Sequence, residues 1–209
     1  MWKPSILFAS AMCLALAGTV ASAQELSRGA GRVEISAAPG GGLFVMESSH
    51  AIEPKFRNYA ITGSLTFNAN RWVGIEGDVG FAVGIKQTLV FSIGALGEQK
   101  TPHLLSFSGN VVFHPAGSDR AVVPYAVAGI GGLTMFNTTA VENLGIARNE
   151  TYLMTNVGGG LKWFAARHWG ARGDYRLMMV PSKDAAPEFF GRQEMRVAHR
   201  VYGALIFTY

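Results

Sequence analysis

The sequence predicts an all-β protein, an eight-stranded antiparallel up-and-down barrel that crosses a membrane with its strands. Three observations support this fold class. Hydrophobic residues make up 49% of the 209 residues and charged residues only 15%, a low charge content for a soluble domain. Beyond the N-terminus, no apolar stretch is long enough for a transmembrane helix. The sequence instead alternates apolar and polar residues in strand-sized segments, which is typical of strands with lipid on one side and a polar interior on the other.

The first 23 residues are predicted to be a cleaved signal peptide. An uncharged apolar run over residues 6–20 is followed by Ala21-Ser22-Ala23, a small-x-small cleavage pattern. The run is too short for a membrane anchor and ends in a cleavage site. Cleavage would leave a short N-terminal lead, residues 24–31, before a barrel domain over residues 32–209.

Residues 152–179 show the alternation most clearly and predict a hairpin with a tight turn at 165–168. The second strand carries Arg172, Asp174 and Arg176 on one face and apolar residues on the other. Successive side chains of a strand point to opposite faces. One face of this hairpin is therefore predicted to meet lipid and the other to face a polar interior.

Further strands follow from the same alternation. The predicted strands are 32–45, 58–68, 72–83, 103–114, 122–133, the two strands of 152–179, and 197–209. Pro39 and the glycines 40–42 predict a bend or bulge in the first strand. The apolar stretch 88–93 extends the third strand or folds back as a loop ribbon, and an even strand count favours a loop.

The predicted connections alternate between long and short. Long loops are expected at 46–57, 84–102, 134–151 and 180–195, and short turns lie between them. Outer-membrane barrels have short periplasmic turns and long extracellular loops. This asymmetry predicts that both termini and the short turns lie on the periplasmic side.

The inward faces of the predicted strands carry a balanced set of charges, four acidic and four basic. The predicted members are Glu34, Glu76, Asp78, Lys162, Arg172, Asp174, Arg176 and Arg200. The third and seventh strands of an eight-stranded barrel are opposite each other, so Glu76 and Asp78 are predicted to reach toward Arg172 and Arg176, with Asp174 between. Side chains just fill so narrow an interior. We therefore expect a salt-bridge plug, and the alternative is a gate that opens when the ion pairs exchange.

Aromatic residues recur at the predicted periplasmic ends of the strands. They are Phe67, Trp72, Phe113, Tyr125, Trp163, Trp169, Phe207 and Tyr209. Aromatic rings with one apolar and one wet side are favoured at membrane interfaces. These residues are therefore predicted to form a periplasmic aromatic rim.

With these features in place, the chain resembles the small outer-membrane β-barrel proteins of Gram-negative bacteria, of the OmpA/OmpX type, over roughly residues 32–209. The matching segments are Pro124-Tyr125 with the glycine-rich strand through Gly132, Asn156–Lys162, Trp169–Arg176, and the closing strand. The closing strand ends on Tyr209, where phenylalanine is the usual last residue. The resemblance implies an integral outer-membrane protein that is reached through the periplasm.

The same resemblance implies partners. They are outer-membrane lipids and lipopolysaccharide, the barrel assembly machinery through the C-terminal strand, and an extracellular ligand bound through the loops. No basic aromatic patch indicates nucleic acid. Because members of this class differ widely in function, the resemblance points to a structural or surface-interaction role without naming a ligand.

Three alternatives remain open: a lipid A-modifying enzyme, a small gated pore, and a soluble lipocalin-like binder. An enzyme needs a nucleophile or acid/base group with an oriented partner. His103 and Ser106 fall on opposite faces, Ser48 and His50 lie in a polar loop, and His199 faces lipid without an evident partner. His114 and His168 are interpreted as rim histidines. We therefore predict no catalytic site, no metal site and no cofactor.

Overall fold

The computed structural model describes residues 33–47, 56–91, 94–136, 149–181 and 195–209. The predicted signal peptide and N-terminal lead lie outside these ranges, as do central residues of all four predicted loops. The strands are β1 (Val33–Ala37), β2 (Gly42–Glu47), β3 (Phe56–Asn68), β4 (Val73–Val83), β5 (Lys86–Phe91), β6 (Gly94–Lys100), β7 (His103–Phe113), β8 (Val122–Phe136), β9 (Glu150–Phe164), β10 (Trp169–Pro181) and β11 (Met195–Thr208). Within the described residues, no helix is long and apolar enough to cross a membrane.

The main sheet closes on itself as an antiparallel barrel. Its order is β1-β11-β10-β9-β8-β7-β4-β3-β2, and β1 also pairs with β3 while β2 also pairs with β11. Since β1 and β2 both lie between β3 and β11, they are two halves of one wall strand. The wall therefore has eight strands, and the predicted fold class is confirmed. We call the end with the connections 69–72, 114–121 and 165–168 the turn end, and the opposite end the loop end.

The break in the first wall strand lies where proline and glycine predict a bend. Gly41 has a φ of 65°, and its amide donates to the Ala38 carbonyl at 3.0 Å. The Tyr59 hydroxyl donates to the Gly40 carbonyl at 2.5 Å. A left-handed residue inside a strand redirects the chain, and glycine adopts that conformation without the steric cost of a Cβ atom.

Several strands extend further toward the loop end than the alternation predicts. Residues 46–47, 134–136 and 180–181 belong to strands, and the ladder still pairs Met135 with Glu150 and Pro181 with Met195. Backbone pairing continues there although apolar and polar residues no longer alternate clearly in the sequence. The region around 88–93 contains β5 and β6, which pair with each other as a separate two-stranded ribbon. Of the two interpretations of residues 88–93, the structure therefore agrees with a loop ribbon that folds back and not with an extension of the third predicted strand.

The wall has its apolar face outside. Large apolar side chains on this face are about half exposed, including Ile35, Ile61, Leu65, Ile75, Val79, Val111, Ile130, Leu161 and Leu205. The alternate residues of the same strands are buried inside the barrel. A soluble barrel that binds an apolar ligand would have the reverse pattern.

The interior has two layers, and the expectation of a polar interior throughout is wrong near the loop end. There, buried apolar side chains form one cluster: Phe44, Met46, Ala60, Ala82, Leu104, Leu133, Met135, Tyr152, Met154, Met178, Val180 and Ala198. Most buried charged residues occupy the middle and the turn end, but Arg196 is fully buried near the loop end, opposite Val180 of this cluster. The charged row on β4 and β10 did not reveal this apolar layer, because the charges lie near mid-strand and the inward residues of the same strands become apolar toward the loop end.

Candidate functional site: the charged interior

The predicted interior charges all lie inside the barrel. The eight side chains Glu34, Glu76, Asp78, Lys162, Arg172, Asp174, Arg176 and Arg200 are each at most 4% exposed. They project inward from β1, β4, β9, β10 and β11. A buried charge is tolerated only when it is paired and hydrogen-bonded, so the pairing of these groups determines what the interior can do.

Two carboxylates and two guanidinium groups form the centre of the interior. Glu76 on β4 accepts from Arg172 at 2.7 Å and from Arg176 at 2.6 Å, across the lumen. Asp174 lies 2.6 Å from Arg172 and 3.0 Å from Arg176 on its own strand. Each acid therefore contacts both bases. This shared arrangement joins β4 to β10 and balances the charge of all four groups.

Asp78 pairs with a different residue from those predicted. Its Oδ1 accepts from Arg200 of β11 at 2.7 Å, and Arg200 also donates to the Ser106 hydroxyl at 3.3 Å. Glu76 and Asp174 already bind both guanidinium groups of Arg172 and Arg176. Asp78 lies two residues closer to the loop end, where the nearest base comes from β11.

A third group of charges lies at the turn end. Lys162 is 2.8 Å from Glu34, and the Asn68 side chain also donates to Glu34. The Nε2 atom of His114 lies 3.2 Å from the Lys162 ammonium. His114 is fully buried, so its interpretation as a rim histidine is wrong. It follows Phe113 and continues the inward row of β7 through Asn110 and Val112.

Tyr125 also belongs to the interior, and its prediction as a rim residue is wrong. It is 5% exposed. Its hydroxyl donates to Asp174 at 2.5 Å and accepts from Arg172 Nε at 2.8 Å. The Arg172 guanidinium lies 4.8 Å from its ring centroid, which is within cation–π range. Both faces of this part of β8 are apolar, so the alternation could not show which face points inward.

The other predicted rim aromatics lie near the turn end and point outward. Phe67, Trp72, Phe113, Trp169 and Tyr209 are exposed, and Trp163 and Phe207 are half-buried. Phe207 packs edge-on against both Trp169 and Tyr209, with ring centroids 4.8 Å apart in each pair. His168 lies beside the same two C-terminal rings. These ring contacts lie where β10 and β11 reach the turn end.

Interior amides were missed in the sequence although they lie on the inward faces. Asn156 donates to the Asn110 side chain at 2.9 Å, and Asn110 donates to Glu76 at 3.2 Å. This relay runs from β9 through β7 to β4. The signal was present in the polar face of β7, where Ser106, Ser108 and Asn110 alternate with apolar residues.

Among the described residues, the histidines and the serine that could act in catalysis do not assemble into a reactive group. His103 stacks on Phe81 and accepts from the Gly84 amide, whereas Ser106 points inward and donates to the Gly80 carbonyl. His199 has a partner that was not predicted, the Tyr175 hydroxyl at 2.8 Å. Ser48 and His50 lie outside the described residues. In the part of the chain that the structure describes, no group of His, Cys, Asp or Glu side chains could hold a metal.

A closed eight-stranded wall, apolar outside and charged inside, defines a transmembrane β-barrel. The sequence pattern of the outer membrane protein β-barrel domain family matches residues 8–190. The chain belongs to this family, and it is an outer-membrane β-barrel protein of the small type that its sequence resembles. No sequence among the curated proteins matches the chain.

Solved structures share the fold at low sequence identity. Neisserial surface protein A (NspA) is 12% identical, with a TM-score of 0.59; the match covers 87% of this chain and 99% of NspA. The outer membrane protein OprG from Pseudomonas aeruginosa is 12% identical, with a TM-score of 0.53, and the match covers 88% of this chain and 100% of OprG. At this identity, the similarity shows the fold alone.

Proposed function

We propose that this protein is a closed structural barrel of the outer membrane that presents its long loops for surface interactions, and that it is neither a pore nor an enzyme. The observation that supports the proposal is the filled interior. Four acids and four bases, each at most 4% exposed, form ion pairs inside the barrel, and the Glu76 contacts with Arg172 and Arg176 cross the lumen between opposite strands. In an eight-stranded barrel, side chains of this size leave no wide path for ions.

The two interior layers support closure in different ways. The ion pairs at the centre would have to separate before an ion could pass, which would leave buried charges unpaired. The largely apolar layer nearer the loop end adds a second barrier, because an ion that enters it would lose most of its hydration. Closure therefore does not depend on one residue. We infer that the barrel would stay closed if the members of one ion pair changed partners.

The proposed orientation follows the asymmetry of the connections. The turn end, where the described chain begins at Val33 and ends at Tyr209 and where the aromatic side chains lie, would face the periplasm. The loop end would face outward. Lipopolysaccharide and other outer-membrane lipids would contact the apolar outer face. The C-terminal strand with its outward-facing aromatics would be recognised by the assembly machinery, and the loops would bind an extracellular ligand.

Conductance tests the closed-barrel proposal directly. We expect purified protein in planar lipid bilayers to show no steady conductance steps, under conditions in which a wide porin in the same bilayer does. Glu76→Gln is a useful companion variant, since it keeps the size of the side chain but removes one charge from the central group. Steady steps from the parent protein would overturn the proposal and favour a gated pore.

A comparison of cells with and without the protein tests the remaining alternatives. Lipid A from the two strains should have the same acyl composition by mass spectrometry, and a shift of one acyl chain would identify an enzyme. A second comparison adds a loop variant to the strain that lacks the protein. In this variant, Gly-Ser segments stand in place of residues 48–55, 137–148 and 182–194. It should restore envelope integrity to that strain but not surface attachment. Restoration of both by this variant would contradict the role of the loops.

A further inference from the structure

A buried group of titratable side chains at the turn end has features that the closed-barrel function does not require. His114, Lys162 and Glu34 are all fully buried there. The Lys162 ammonium is 2.8 Å from the Glu34 carboxylate and 3.2 Å from His114 Nε2. A carboxylate alone would balance the lysine, so the histidine adds a second contact whose strength depends on its proton.

The contact with Lys162 requires a neutral imidazole. A charged ammonium has three donors and no acceptor, and Lys162 is held in an ion pair with Glu34. The Nε2 atom of His114 must therefore accept, which places the ring proton on Nδ1. A second proton on the ring would remove this acceptor and place two positive charges about 3 Å apart in a buried site.

Charged and polar groups from several strands surround the ring. Glu34 comes from β1, Asn68 from β3, Lys162 from β9 and Arg172 from β10. His114 itself lies in the turn after β7. Burial and, next, the Lys162 charge lower the pKa of His114 from its ordinary value of 6.5 to about 4, although Glu34 acts in the opposite direction.

The backbone of His114 connects the ring to a turn that folds over the end of the barrel. The His114 amide donates to the Trp72 carbonyl at 2.8 Å, and its carbonyl accepts from Gly117 at 3.0 Å. The Ser118 amide donates to the Arg71 carbonyl at 2.8 Å, and Ser118 is 5% exposed. The ring therefore lies directly beneath the attachment of the 114–121 turn to the neighbouring β3–β4 turn.

We propose that His114 is an acid-sensitive latch: when it is neutral it holds the 114–121 turn on the barrel end through Lys162, and when it is protonated it releases the turn. The eight-stranded wall stays closed in both states, because its ladder does not depend on this contact. The device acts at the turn end only, and it is independent of whether the barrel conducts.

The direction of the pH dependence follows from proton linkage. A histidine with a lowered pKa in the folded state takes up its proton more readily when the turn is released. The stabilisation is therefore fully present above about pH 6.5 and is lost as the pH falls toward about 4. The equilibrium for release should rise by up to roughly 300-fold across this window.

Thiol labelling at the turn tests the latch. Cys13 is the only cysteine of the chain, so Ser118→Cys in a Cys13→Ser background gives a single buried thiol. The probe is 4,4′-dithiodipyridine, which reacts with thiols in acid as well as at neutral pH. We divide the labelling rate of the folded barrel in lipid vesicles by that of the same variant unfolded in urea at the same pH, because the reactive thiolate becomes scarcer in acid. We expect this relative rate to rise at least tenfold between about pH 7.5 and about pH 4.5, over the window in which His114 gains its proton.

Two further variants separate the latch from a general effect of acid. His114→Asn keeps an acceptor for Lys162 but cannot gain a proton, so its labelling should remain slow at both pH values. His168→Asn removes the histidine beside the C-terminal rings and should behave like the parent. Equal acceleration in the parent and in His114→Asn would overturn the proposal, as would no acceleration in the parent.

A variant that packs poorly would give a different pattern, and a second measurement identifies it. Fast labelling of His114→Asn at both pH values would show a packing defect, and His114→Gln then takes its place. The urea midpoint of unfolding should fall more steeply with acid in the parent than in whichever variant packs correctly. Parallel pH dependence of these midpoints would also overturn the latch.

Discussion

At the scale of single residues, the interior depends on side chains that each serve two partners. Arg176 is fully buried and contacts both Glu76 and Asp174, at 2.6 and 3.0 Å. A buried ion pair contributes little net stability compared with apolar packing of the same volume. The loss of one partner is costly because the remaining charge stays buried without compensation.

Arg176→Ala should therefore destabilise the barrel more than an ordinary substitution. We expect a loss of about 3–5 kcal/mol in the free energy of unfolding, because two carboxylates lose a shared partner in a buried site. Urea unfolding in lipid vesicles would measure this change. Arg120→Ala provides the control, since Arg120 is exposed in a turn and should shift the free energy by no more than about 0.5 kcal/mol. Equal effects of the two variants would contradict the interior network.

At the scale of secondary structure elements, the break between β1 and β2 is the main departure from a regular wall. Residues 38–41 leave the ladder, and pairing to β3 and β11 resumes at Gly42. Inward residues stay inward across the break, since Ala38 and Phe44 are both buried. The break therefore bends the strand without reversing its faces, and this depends on the left-handed backbone of Gly41.

Gly41→Ala should destabilise the wall, whereas Gly40→Ala should not. A Cβ atom at Gly41 would meet the Tyr59 ring, in addition to the cost of a left-handed conformation, which is about 1–2 kcal/mol for a residue with a side chain. A Cβ atom at Gly40 would meet nothing within 4 Å, and no left-handed backbone is required there. The urea midpoints of the two variants measure the difference, and equal midpoints would show that the kink does not need glycine.

At the scale of the whole molecule, the barrel is apolar outside and charged inside. Exposed apolar side chains such as Ile75 and Leu65 cover the outer wall, at 62% and 56% exposure. Such a surface is stable only against lipid, where it needs no water and no partner protein. The cost of a charge on this surface should therefore depend on its depth in the bilayer.

Two arginine substitutions on the outer wall test this depth dependence. Val79 lies near the middle of β4 and Val122 begins β8 at the turn end, and the two are similarly exposed, at 53% and 51%. Val79→Arg should cost about 2–4 kcal/mol and Val122→Arg only about 0–1 kcal/mol. Unfolding in vesicles of defined thickness provides the measurement. Similar costs at both sites would mean that the outer face is not buried in lipid as the family implies.

Much of this architecture could be predicted because alternation is a local property of a strand. The outward apolar rows, the inward charged row and the bend at Pro39 all follow from neighbouring residues in the sequence. Tyr125 shows where that reasoning ends, since both faces of its strand segment are apolar. His114 shows a second limit, because a turn residue can continue the inward row of the preceding strand.

The sequence by itself determined the number of wall strands, the faces of those strands that alternate clearly, and eight of the buried charges, although not Arg196. Only the tertiary structure decided which charges meet: Asp78 with Arg200, Lys162 with both Glu34 and His114, and Tyr125 with Asp174. Alternation places a side chain inside or outside the barrel. Its partner across the lumen depends on the register and tilt of eight strands together, which no single segment of the sequence contains.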